Sequence, residues 1–431
     1  MDFHASHGIP FVNFRRSALS AAGGEDCDWD TLDSETVKLS TISAVEFSRE
    51  RMARYKRYFN NIASIAPLAL SSSLTIKSRM AHRFSLFFLG VTGYIGGSVL
   101  VELKNRYPNA QFTALVRNPK DIAAVQAIGV QAIQGSHSDL DLIRKLASEH
   151  DVVINCGDSD DLPLTKVILA GLESRAQAKP DAQRKPILIH TSGTGLLQNE
   201  RDGAFHSDKI YDDNNLDDIK GIRVDAQHRD DNNLDDIKGI RVDAQHRDVD
   251  LEILSAGKTS LIDPYIIAPC TVYGKGRGPV RNLSIQVNNM IRVALRRKEL
   301  VQVGPGTNLW NSVHIDDLAN LYGLLLDHAL SGRDKSTDPF ERFYWGSGDE
   351  YVWGDITKEL ARLLYARGVI QTETRKIIKV EEEPILDPTA TNSRSVSNRG
   401  IALGWTRSGT PLFETLPQEV EWTLAEVEAN A

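Results

Sequence analysis

The chain reads as α/β: a Rossmann-like, doubly wound parallel sheet with a smaller C-terminal α/β substrate domain. Three observations predict this. From Ser85 onward, apolar runs of strand length alternate with stretches of helical period. The first run, Ser85–Leu89, ends in a glycine-rich turn with a helical pattern directly behind it. Several such strand–helix units follow in succession, and these build a parallel sheet covered on both faces.

The elements come in order. Strand one is Ser85–Leu89, and its helix covers about Ile95–Asn105. Gln111–Val116 is strand two, and a helix over Lys120–Ala127 stops near Gly129. Val130–Gln134 is strand three, and helix Leu140–Ser148 leads to strand four, Asp151–Asn155. A long helix over Pro163–Gln177 precedes the all-apolar strand Pro186–His190, which ends in Thr191-Ser192-Gly193-Thr194-Gly195. Helix Val249–Ala256 and strand Tyr265–Ala268 complete this rhythm. The remainder mixes helices (Leu283–Arg297, Val313–Ala329, about Val352–Arg367, Ser393–Leu403, Leu412–Glu428) with short strands such as Leu300–Val303.

The expected organisation has three parts. Residues 1–79 lack strand–helix alternation and read as a poorly ordered extension, or as sequence upstream of a start at Met80. Their one helix-like piece is Val45–Phe59, and a Ser-rich piece, Leu70–Ser78, follows. Residues 80–270 form the nucleotide-binding domain. Residues 271–431 form the C-terminal substrate domain, interleaved with it. Within the second part Asp212–Arg229 is repeated letter for letter as Asp230–Arg247. A polar, acidic duplication of this kind belongs in a surface loop, where doubling the length costs only about 0.6 kcal/mol, or one copy packs natively while the other loops out.

Composition excludes several classes. The formal net charge of -8 argues against a nucleic-acid or anionic-membrane partner. No apolar run has the length of a membrane span. Three distant cysteines (Cys27, Cys156, Cys270) form neither a disulfide framework nor a zinc pattern. No set of His, Cys, Asp and Glu has metal-site spacing. These features suit a cytoplasmic protein with a small-molecule substrate, monomeric or homodimeric; Arg15-Arg16 leaves mitochondrial import open.

Gly90-Val91-Thr92-Gly93-Tyr94-Ile95-Gly96 leaves a buried strand and opens a helix. Glycines at 90, 93 and 96 let the backbone approach a dinucleotide pyrophosphate held on the first amides of the helix. An NAD site usually has an acid at the end of strand two, gripping the ribose 2′-hydroxyl. Here Arg117 stands there. A guanidinium suits a 2′-phosphate, so NADP is favoured, with NAD possible.

The chain resembles the extended short-chain dehydrogenase/reductases, the group of the nucleotide-sugar epimerases and dehydratases, and within it the atypical fungal type. Four stretches carry the resemblance: the glycine turn; Val272-Tyr273-Gly274; Asn311-Ser312-Val313-His314-Ile315-Asp316-Asp317-Leu318-Ala319; and Ser397-Asn398-Arg399-Gly400-Ile401-Ala402-Leu403-Gly404-Trp405. It implies that Thr92, Tyr94 and Ile95 join the three glycines in the cofactor turn. It places Asp139 near adenine, and Asn155 and Cys156 beneath the nicotinamide ribose. It makes Ser192 the serine that hydrogen-bonds the substrate oxygen.

Family members that transfer hydride use a Tyr-x-x-x-Lys pair, whose lysine lowers the tyrosine pKa. None of the eleven tyrosines here has a lysine four residues later. The family's pattern puts His246 at the tyrosine position and Asp250 at the lysine position. One reading makes His246 a general acid oriented by Asp250, since i, i+4 residues share a helical face. The other makes both surface residues of a helix start. His228 has the same upstream neighbours as His246. Tyr273 is a further catalytic candidate, His314, Asp316 and Asp317 read as a helix cap, and His190 as core. The expected function is NADPH-dependent reduction, or the reverse oxidation, of a small aldehyde, ketone or sugar-like substrate. The alternatives are a non-catalytic NADP-binding regulator and a nucleotide-sugar epimerase or dehydratase.

Overall fold

In the computed structural model the run Ser85–Leu89 is strand β1, an interior strand of a seven-stranded sheet. The structure describes residues 84–198, 202–204, 207–222 and 245–430. All of them belong to one compact unit, residues 77–431. The expectations for Val45–Phe59, Leu70–Ser78 and His228 lie outside the described residues.

After β1 come helix α1 (Tyr94–Arg106), β2 (Gln111–Val116), α2 (Ile122–Ala127) and β3 (Gln131–Gln134). Then follow α3 (Leu140–Glu149), β4 (Val152–Asn155), α4 (Leu162–Ala178) and β5 (Ile187–Thr191). A short strand β6 (Tyr211–Asp212) and helix α5 (Leu216–Lys220) precede α6 (Arg247–Ala256) and β7 (Asp263–Pro269). The chain continues through β8 (Thr271–Tyr273), α7 (Gln286–Arg297), β9 (Val301–Val303), β10 (Leu309–His314) and α8 (Ile315–Leu330). It closes with β11 (Phe343–Gly346), β12 (Asp349–Val352), α9 (Trp353–Ala366), β13 (Lys376–Ile378), β14 (Ser395–Val396), α10 (Asn398–Ala402) and α11 (Leu412–Ala429).

The main sheet has the order β11-β7-β5-β4-β1-β2-β3, and every pairing in it is parallel. The pleat of β1 sorts its side chains between two cores. Leu86 and Phe88 pack with Val99 and Leu103 of α1 and with Leu318 and Leu325 of α8. Phe87 and Leu89 pack on the other face with Ile143 of α3, Ile168 of α4 and Ile253 of α6. Burial on both faces explains why β1 is uniformly apolar rather than alternating. A third core joins α7, α9 and α11 around Trp310 and Trp353.

The chain runs outward in opposite directions from β1 and β4, so the crevice at their C-terminal ends is where such sheets bind ligands. The late strand β11 completes the main sheet beside β7. A three-stranded sheet (β12-β10-β8) carries the other motifs of the C-terminal part.

Three sequence expectations need correcting. The helix expected from Val313 starts at Ile315, because Val313 and His314 end strand β10, in which polar Asn311 and Ser312 are buried. The stretch read as a helix over Ser393–Leu403 divides into β14 and the short α10. The duplicated segment is not simply a surface loop. Its first copy begins with β6 and α5, where Asp213, Ile219 and Ile222 are fully buried. Its second copy ends in Gln245, His246 and Arg247 at the start of α6, and 223–244 lie outside the described residues. Asp213 accepts from the amides of Trp345 (3.0 Å) and Arg399 (2.9 Å), so this acid is structural.

Candidate active site

Gly90 ends β1 at φ +87°, a left-handed conformation that favours glycine. A Cβ on Gly90 would lie 2.3 Å from the Cys156 carbonyl oxygen, and one on Gly96 would lie 2.3 Å from the Gly90 carbonyl oxygen. The turn therefore packs backbone to backbone against the end of β4. Gly93 is the N-cap of α1 and provides no side-chain cap. The first amides of α1 are thus left for an anion. A cradle that side chains would fill, over an uncapped helix start at the sheet's crevice, fits a dinucleotide.

The other cofactor candidates sit around this cradle. The Thr92 carbonyl accepts from Arg281 N (3.3 Å), Tyr94 OH donates to the Gly274 carbonyl (2.7 Å), and Ile95 packs on the first core. Arg117 is exposed just past the end of β2. Asp139 is exposed, and its carboxylate accepts from Ser136 N (2.6 Å), closing the turn before α3. Asn155 is buried; its Oδ1 accepts from Gly157 N (3.0 Å) and its Nδ2 donates to His190 Nδ1 (3.2 Å). Cys156 Sγ accepts from Thr191 Oγ1 (3.0 Å), and burial pushes its thiol up to about 12.

A cleft of about 420 Å³ runs from Gly93–Gly96 and Cys156 past Ser192–Gly195 and His246 to Ile285, Trp310 and Pro388. Two acids behind the cleft hold its polar wall, the buried Asp250 and the exposed Asp160. Ser192, just past β5, donates from Oγ to Asp250 Oδ2 at 2.8 Å. Asp250, on α6, is fully buried, and burial pushes its carboxyl up to about 7 against the opposing pull of the Ser192 hydrogen bond. His246 stands before α6 at φ +70°, outside the helix proper. Its backbone N–H (2.8 Å) and its imidazole Nδ1 (2.7 Å) both meet Asp160 Oδ1, in the loop after β4. The His246 hydrogen bond in turn holds the Asp160 carboxyl below the usual range. With Nδ1 anchored, Nε2 is turned toward Gly193, where a Cβ would be only 3.0 Å from it. Gly195 likewise leaves room for Gln245, whose Oε1 would be 2.5 Å from a Cβ there.

The structure thus brings Ser192 and His246 to one cleft, beside the glycine turn. It reassigns the partner of His246: Asp160, not Asp250, orients the imidazole, and Asp250 holds Ser192 instead. Tyr273 is not among the residues of this cleft. Its hydroxyl donates to the Thr410 carbonyl (2.9 Å), and its ring stands edge-on to His314, so it packs. His190 is buried beneath the site, and burial lowers its pKa to about 3. His314 Nδ1 accepts from Asp316 N (3.2 Å), capping α8 as expected. Asp317 accepts from the amides of Ser408 (3.0 Å) and Gly409 (3.0 Å). Sequence reasoning missed Asp160, Gln245 and Trp310.

His137, Asp158 and Asp161 bring ligand-type atoms within 4.8 Å of one another. Both carboxylates already take backbone amides, Asp158 from Asp160 and Asp161 from Leu164, which makes them loop and helix caps.

Comparison with known proteins agrees with this geometry. A family model described as NAD(P)H-binding matches residues 90–206, and one for the NAD-dependent epimerase/dehydratase family matches residues 244–337. An oxidase, ucsJ, of Acremonium sp is 27% identical over 351 residues, which is 77% of this chain and 95% of that protein. The fold is shared with dTDP-glucose 4,6-dehydratase of Bacillus anthracis in complex with NAD, at TM-score 0.53 and 13% identity, covering 80% of this chain and 97% of that one. It is shared also with UDP-glucose 4-epimerase of Thermotoga maritima, at TM-score 0.53 and 14% identity, covering 80% of this chain and 99% of that one. Among the described residues no helix is long and apolar enough to cross a membrane. The chain thus carries an NAD(P)-binding domain and an NAD-dependent epimerase/dehydratase domain, on a fold shared with epimerases and dehydratases.

Proposed function

We propose that this chain is an NADP-dependent oxidoreductase that interconverts a small carbonyl compound and its alcohol. The observation that carries the reading is the convergence of Ser192 and an Asp160-anchored His246 on the cleft that begins at the glycine turn. When bound, the cofactor supplies a hydride acceptor or donor at the nicotinamide. Gly90, Gly93, Gly96 and the first amides of α1 would hold its pyrophosphate, and Arg117 would favour a 2′-phosphate over a bare ribose. Ser192 turns its one hydroxyl proton from Asp250 to the substrate oxygen when substrate is bound. His246 delivers a proton from Nε2 to that oxygen as the carbonyl is reduced, and takes it back in the reverse direction. Asp160 fixes which ring nitrogen faces the cleft.

A second reading, a redox-neutral epimerase or dehydratase that keeps its cofactor bound, is favoured by the family match over residues 244–337. Steady-state turnover separates the two. Net consumption of free NADPH with a carbonyl panel supports the first. Product formation with no change in the pool of free cofactor would replace it with the second.

A further inference from the structure

The described walls of the cleft include no Lys, Arg, Asp or Glu. Their polar groups are hydroxyls and amides: Ser192, Thr194, Ser284, Gln198, Gln245 and Gln286, with the His246 imidazole beside them. Their apolar groups run from Ile95 at the glycine turn through Pro269 and Val272 to Trp310 and Ile285. Trp310 is buried, whereas Ile285 is 68% exposed at the mouth.

A phosphorylated substrate needs cations, because a charge taken from water without a counter-ion is strongly disfavoured. Arginine forks are the usual answer. Here arginines of the C-terminal part are engaged elsewhere: Arg292 with Glu426, Arg297 with Glu383, Arg394 with Glu350 and Arg407 with Asp349. One backbone feature favours negative charge. Helix α7 starts at the cleft, and its N-cap, Ile285, has no side-chain cap. A helix start is worth roughly half an elementary charge. That suits a neutral carbonyl or hydroxyl oxygen and falls well short of a diphosphate. Space points the same way, since about 420 Å³ must take the nicotinamide end of the cofactor as well as the substrate.

We infer that the substrate is an uncharged, ring-bearing carbonyl compound or alcohol, and that this cleft rejects phosphorylated substrates, nucleoside-diphosphate sugars included. The inference rests on the reading that the cleft is the substrate site of the proposed redox reaction. It separates this chain from the nucleotide-sugar enzymes whose fold it shares.

The test is calorimetric titration of the full chain, saturated with NADP⁺, with three kinds of probe. These are a panel of neutral aromatic and alicyclic ketones including 2-acetylnaphthalene, the anionic keto acid phenylpyruvate, and UDP-glucose. At least one neutral ketone is expected to bind roughly tenfold or more tighter than phenylpyruvate or UDP-glucose. The variant Gln286→Arg, which adds a cation to the wall, should raise phenylpyruvate affinity by roughly tenfold. UDP-glucose binding as tightly as the best ketone would overturn the inference, and so would silence from every ketone at millimolar concentration. The two readings fail separately. Ketones that bind without NADPH oxidation would overturn the redox reading and leave the substrate class standing. UDP-glucose binding alongside ketone reduction would do the reverse.

Discussion

Ser192 Oγ lies 2.8 Å from Asp250 Oδ2, and Asp250 is wholly buried. The serine proposed to face the substrate thus leans on a carboxyl whose charge state burial controls. Burial pushes Asp250 up to about 7 in the folded chain, against about 3.9 when unfolded. Between those values the folded state binds more protons than the unfolded one. Stability therefore falls as pH rises from about 4 to about 7 and is level above that. Asp250→Asn removes this titration. Its melting temperature relative to wild type should rise from pH 4 to pH 8. Asp213, raised by burial to a similar value, is common to both proteins and cancels. A difference independent of pH would show that Asp250 is ionised throughout.

His246 and Asp160 should divide into a proton donor and a positioning residue. His246→Gln removes the donor and should lower kcat by roughly 10²-fold or more. Asp160→Asn keeps the ring but removes the carboxylate that anchors Nδ1, so it should lower kcat by less than His246→Gln does. An unchanged kcat would mean that Asp160 merely shapes the loop.

The difference between expectation and structure at this pair has a local cause. The i, i+4 argument paired His246 with Asp250 because it took His246 as helical. At φ +70° His246 lies outside α6, so helical spacing does not govern its direction. Asp160 was hidden by distance, being 86 residues away in sequence. The main sheet was legible because its central strands are buried on both faces, as the apolar β1 shows. Strand β10 was not, because Asn311 and Ser312 interrupt its apolar pattern. Both are buried with partners, Asn311 on the Gly348 carbonyl and Ser395 amide and Ser312 on the Asp349 carbonyl. The sequence does not choose between a packing and a catalytic role for Tyr273, because only the fold shows its hydroxyl committed to the Thr410 carbonyl.

Arg117 is the basis for preferring NADP. Arg117→Glu should exchange the preference, weakening NADPH by roughly tenfold or more and improving NADH. Fluorescence titration with both cofactors measures this. Equal loss for the two would remove Arg117 from 2′-phosphate recognition.

The duplication makes a prediction about stability. The Arg247 guanidinium donates to the carbonyls of Ile219 (3.1 Å) and Lys220 (3.2 Å), so the start of α6 lies beside the end of α5. Deleting Asp230–Arg247 leaves Gln227, His228 and Arg229 in the places of Gln245, His246 and Arg247. It also leaves four residues after Ile222, enough to span up to about 17 Å. Shortening the connection should stabilise the chain by about 1.5 kcal/mol through loop closure. Thermal unfolding should show an equal or slightly higher melting temperature with cofactor affinity retained; a marked fall would mean that both copies are needed.

The most direct measurement follows deuterium. NADPH carrying deuterium on the transferable face of nicotinamide C4 is mixed with the neutral ketone panel, and the alcohol is analysed by mass spectrometry. Deuterium on the former carbonyl carbon is expected with wild type and with Tyr273→Phe. With Ser192→Ala it should form roughly 10²-fold more slowly, at unchanged cofactor affinity. Firm cofactor binding with no deuterium in any product, or a rate indifferent to Ser192, would contradict hydride transfer in this cleft.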